Sequence, residues 1–162
     1  MPYLVRRVRV WVVASLLGIA GVQAAPAEFV RVWPGWRDAE SFERIGEYFG
    51  RDRSDPRYVT LRTRADVRDG FYFLLRVKHP APLERARLVV DVIRPDAPRP
   101  VQFVFSVEAP KAGETVFDVG LTGADWPGGR ESHPVAWRIE LRGADGALLA
   151  QEKSYLWEKP SK

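Results

Sequence analysis

The sequence predicts an all-β sandwich of seven antiparallel strands, preceded by one short N-terminal α-helix. Three observations carry this. Apolar and polar residues alternate in run after run, the period of a strand with one buried face. Val135, Trp137, Ile139 and Leu141, interleaved with Ala136, Arg138, Glu140 and Arg142, are the clearest case. Asp145-Gly146 follows and supplies a tight hairpin turn. Finally, every proline from Pro56 to Pro160 falls between these runs, not inside them, where a missing amide donor is costly.

In chain order, residues 1–24 read as a signal peptide. Arg6, Arg7 and Arg9 form a basic start, and Val10 to Val22 is apolar. Val22-Gln23-Ala24 then places small residues for a cut after Ala24. The apolar run is shorter than the ~20 residues that a spanning helix needs. The expected product is periplasmic or secreted, with no stable membrane span after cleavage. Residues 25–56 form an N-terminal arm. Trp33-Pro34-Gly35-Trp36 reads as a turn, and a helix is expected over about 38–49. Asp38 or Ser41 can cap it, Phe42, Ile45 and Phe49 form its apolar stripe, and Gly50 suits its end.

Residues 57–158 form the sandwich. The first strand is Tyr58 to Thr63, and the second carries Phe71, Phe73, Leu75 and Val77. Leu88, Val90 and Val92 mark the third, and Val101, Phe103, Phe105 and Val107 the fourth. Thr115, Phe117, Val119 and Leu121 mark the fifth. The closing hairpin adds the sixth and the seventh, the last running from Leu148 to Trp157. Asp91 and Asp118 alternate with apolar residues and are expected on outer faces.

The 162 residues suffice for one domain with a core, and 46% hydrophobic content excludes a disordered chain. Three of the 25 basic residues lie in the leader, so 22 remain against 21 acidic ones, a net of +1. That near-neutral balance removes the electrostatic argument for a nucleic-acid partner. The absence of cysteine excludes disulfides, thiol catalysis and thiolate metal sites.

The pattern of short strands and frequent turns resembles immunoglobulin-like and fibronectin type III-like modules of exported bacterial proteins. Its most specific part is Trp137 to Leu141, followed by Asp145-Gly146 and a final strand. The likeness covers about Arg57 to Trp157. It implies a fold and no active site.

Catalytic signals are sparse. His79 and His133 each precede a proline and read as extended loop residues. No nucleophile elbow, zinc-binding histidine motif or phosphate-binding glycine loop occurs. No cofactor and no metal ligand set is read. The tryptophans are the better lead. Trp33, Trp36 and Trp126 lie in turn-rich segments, where they either pack the arm and loops or stack on a ligand. Trp126 sits near Arg130 in the long Thr122 to His133 loop. The expected function is a non-enzymatic binding or structural module of the bacterial cell envelope, with a protein or glycan partner. The alternative is a small periplasmic hydrolase or glycan-binding protein.

Overall fold

The computed structural model describes residues 27–41 and 56–158. Eight strands run in order: β1 (Glu28–Arg37), β2 (Tyr58–Arg62), β3 (Gly70–His79), β4 (Leu83–Arg94), β5 (Ala97–Ala109), β6 (Gly113–Thr122), β7 (Ala136–Arg142) and β8 (Leu148–Lys153). They form two four-stranded sheets. Sheet A has the order β1-β3-β6-β2, and sheet B the order β5-β4-β7-β8. The alternation seen in the sequence sets the core. Phe71, Phe73, Leu75 and Val77 of β3 and Phe117, Val119 and Leu121 of β6 face Leu88, Val90 and Val92 of β4 and Ile139 and Leu141 of β7. Trp137 packs on this cluster with its ring edge-on to Phe73, centroids 5.6 Å apart. The result is an all-β, sandwich-like structure.

Three expectations are corrected. There are eight strands, because Trp33-Pro34-Gly35-Trp36 continues β1 instead of turning. Pro34 is tolerated because β1 is an edge strand of sheet A, where one row of backbone donors needs no partner. A register shift between Phe29 and Arg31 hides the alternation: Phe29 and Val32 both pack on the core despite their odd spacing. Pro98 and Pro100 likewise lie inside β5, an edge of sheet B. Nor is the structure wholly antiparallel. β2 pairs parallel to β6, so sheet A is mixed.

The last strand is also shorter than expected. β8 ends at Lys153, and Tyr155–Glu158 is a 3-10 turn. The β7–β8 turn forms as read, with Gly146 in the left-handed region at φ 84° and its N–H donating to the Gly143 carbonyl at 2.9 Å. Residues 39–41 are helical. Asp38 caps them, its carboxylate accepting the Ser41 amide at 2.8 Å. The rest of the expected helix, and the signal peptide, lie outside the described residues. Among the described residues, no helix is long and apolar enough to cross a membrane.

Candidate functional site

Strand position separates the tryptophans. Trp126 is buried, at 4% exposure. A 3-10 turn over Gly123–Asp125 folds the loop back, and the Trp126 amide donates to the Gly123 carbonyl at 3.0 Å. Gly129, at φ 66°, turns its carbonyl to accept from the indole Nε1–H at 3.4 Å. The ring lies 4.7 Å from Phe71, centroid to centroid, and His133 meets the same phenyl ring edge-on. Trp126 therefore plugs one end of the core and has no free face for a partner.

Arg130 is exposed and forms an ion pair with Asp38, tying the loop to the N-terminal arm. The Ser41 hydroxyl and amide, and then Arg130, hold the Asp38 carboxyl below the ordinary aspartate range. Trp36 turns inward beside Phe71 and packs on the core. Trp33 lies an odd number of residues away and points outward, 53% exposed.

The outer face of sheet A carries two exposed aromatic residues, Trp33 and Tyr58. Cross-strand register places Arg31, Arg76, Val116 and Tyr58 in one row and Trp33, Leu74, Asp118 and Thr60 in the next. Arg31, Trp33, Tyr58, Leu74, Arg76 and Val116 line a shallow groove across all four strands. Leu74 and Val116 form its floor, and Trp33 and Tyr58 stand toward its ends, about 14 Å apart by strand spacing. The Arg31 guanidinium lies over the Trp33 ring, 4.1 Å from the centroid. Arg76 is paired with Glu114 at 3.4 Å. An indole beside a guanidinium offers stacking and hydrogen bonding together. Reading β1 as a turn hid this site. Read as a strand, the segment puts Arg31 and Trp33 on one face.

Further up the same face, Tyr72 is wholly buried. Its hydroxyl accepts from Arg62 Nε–H at 2.7 Å and donates to the Arg68 carbonyl at 2.7 Å. Burial raises its pKa above the ordinary tyrosine range. Arg37 reaches Asp118 at 3.4 Å. The outer face of sheet B holds a second polar network. Asp91 accepts from Gln102 at 2.8 Å and from two nitrogens of Arg138 at 3.1 and 2.7 Å. Glu140 lies 2.6 Å from Arg142 and 3.6 Å from Arg138. These buried acids occupy outer faces, as the alternation requires, and their partners are arginines of the same face.

The histidines lie apart from both networks. His79 is buried, not held in a loop: Nδ1–H donates to the Ala81 carbonyl at 2.9 Å, and Nε2 meets the Thr115 hydroxyl at 3.0 Å. A carbonyl only accepts, so Nδ1 carries a proton. Among the described residues, no three His, Asp or Glu side chains gather as a metal would require. No protein-family model matches this sequence, and no curated protein or solved structure matches it.

Proposed function

We propose that this chain is an exported, non-enzymatic binding module of the bacterial cell envelope, and that it holds its partner in the groove lined by Arg31, Trp33 and Tyr58. The observation that carries this reading is the exposure of Trp33. A large indole left more than half in water, stacked by a guanidinium and facing a second exposed aromatic residue, is what a recognition surface offers. The groove is shallow and open along the sheet, which suits an extended partner, a glycan chain first. A catalytic reading finds less support. The buried carboxylates Asp91 and Glu140 are engaged by Arg138 and Arg142, and both ring nitrogens of His79 are committed.

The frame supports the immunoglobulin-like reading. β3 and β6 adjoin in one sheet while β4 and β7 adjoin in the other, the interleaving that such sandwiches have. β2, parallel to β6 at the sheet edge, is the departure.

The test uses the mature protein sedimented with purified cell-wall glycan and, separately, with membrane fractions. Trp33→Ala should weaken retention by about 2 kcal/mol, roughly thirtyfold, while the melting temperature falls by no more than about 5 °C and the protein stays folded at the assay temperature. Undiminished retention would sink this assignment of the groove.

A further inference from the structure

Each sheet ends in two edge strands, and an edge presents a row of backbone N–H and C=O groups that invites another strand. Three of the four edges carry features that discourage such pairing. β1 contains Pro34 and a register shift after Phe29. β2 has only five residues and ends at Arg62. β8 has six and ends in Glu152 and Lys153. β5 differs from all of them. It has 13 residues, and its stretch from Val101 to Val107 contains no charge, proline or glycine. That stretch runs without a register shift against β4. Val104 stands out from it, 54% exposed. A long, flat, uncharged edge of this kind is a pairing surface unless something covers it.

The ladders fix which β5 residues aim their backbone groups outward. In an antiparallel pair, successive residues turn those groups to alternate sides. The Ser154 amide donates to the Trp137 carbonyl at 2.9 Å, so Trp137 faces β8. Its neighbour Arg138 then faces β4, opposite Asp91. Val90, next to Asp91, faces β5, opposite Phe103. Phe103 is therefore engaged with β4, and Gln102, Val104 and Ser106 aim their backbone groups at the outer edge. Pro98 and Pro100 share that parity, so their missing donors cost sheet B no ladder bond. Among the described residues, no strand lies beyond β5.

This edge fits a second copy of itself. A two-fold interface requires one patch to complement itself. With the axis at Val104, the exposed Val104 side chain meets its own copy, and Gln102 meets Ser106 on the same outer face. The Gln102 amide nitrogen already donates to Asp91, which leaves its oxygen to accept from the Ser106 hydroxyl. Phe103 meets Phe105 on the inner face. No like charges oppose each other, and Pro100 falls at the end of the ladder. We propose that β5 is a homodimer interface, in which two copies pair antiparallel along Val101–Val107 and join two four-stranded sheets B into one sheet of eight. The Trp33 groove lies on sheet A and takes no part, so self-association and glycan retention stand or fall separately.

Sedimentation equilibrium of the mature protein should give twice the chain mass. Val104→Lys opposes two ammonium groups on the axis, while in the monomer its side chain points to water. It should weaken association by at least about a hundredfold and leave the circular dichroism spectrum unchanged. The chain has no cysteine, so Val104→Cys adds a single thiol. Opposed Cα atoms in such a pair lie about 5.5 Å apart, within disulfide range. Mild oxidation should therefore link two Val104→Cys chains, and should not link Thr60→Cys chains, altered at an exposed position of sheet A, at the same concentration. If Val104→Lys does not fold, the comparison of the two cysteine variants decides alone. A monomeric mass at every concentration, whether or not the edge takes a strand of another protein, overturns the proposal. So does a dimer that Val104→Lys leaves intact, or linkage at Thr60→Cys equal to that at Val104→Cys.

Discussion

Replacing Trp126 by alanine should unfold this protein far more readily than replacing Trp33, although both are tryptophans in proline- and glycine-containing segments. The Trp126 side chain buries on the order of 150–250 Å². At about 25 cal/mol per Å², that is roughly 4–6 kcal/mol, an upper bound because the unfolded chain already hides part of the ring. Alanine keeps only one carbon of it, and the wall formed by Phe71 belongs to a hydrogen-bonded strand that cannot collapse into the gap. The usual cost of emptying such a site is about 3–5 kcal/mol. The indole hydrogen bond to Gly129 adds little, since 3.4 Å is long. For a urea slope of about 2 kcal/mol/M, the midpoint should fall by about 1.5–2.5 M. Trp33→Ala removes a ring that is already 53% exposed, so its midpoint should move by less than about 0.5 M. Equal shifts in the two urea curves would mean that Trp126 does not plug the core.

Three further outcomes are expected. Tyr72→Phe should remove the late part of the folded protein's alkaline absorbance titration, because burial raises the Tyr72 pKa; loss of an early part instead would contradict the burial of Tyr72. The sign follows: the folded state holds the Tyr72 proton more tightly than the unfolded chain, so this group's contribution to stability is present below the ordinary tyrosine pKa and is lost as pH rises above it. Arg138→Ala should cost about 1–3 kcal/mol by leaving the buried Asp91 with Gln102 alone, and its effect should be non-additive with Asp91→Ala in denaturant melts; strictly additive losses would show that the pair is uncoupled. Expressed in a bacterium with export intact, the protein should start at Ala25 by mass spectrometry, and an intact Met1 in the soluble periplasmic fraction would refute the leader assignment.

Alternation determined the strands from Tyr58 to Leu141 and the inward face of each, and Asp145-Gly146 determined the hairpin. A two-residue period states which side chains share a face, and burial of that face does the rest. The same logic set Asp91 and Asp118 on outer faces. Their near-complete burial there was beyond it, since it depends on which arginines and rings a neighbouring strand brings alongside. β1 was hidden for two physical reasons. The register shift after Phe29 breaks the period, and Pro34-Gly35 imitates a turn. Only an edge position, which the sheet order confers, makes that proline acceptable in a strand. The parallel sense of β2 was equally out of reach, because a strand's own residues do not name its neighbour or its direction. For the tryptophans, spacing already placed Trp33 and Trp36 on opposite faces once β1 is a strand. Trp126 lies in a loop with no period, so its fate was decided by tertiary structure: Phe71 stood within reach, and Gly129 could adopt the left-handed backbone that closes the loop around the ring.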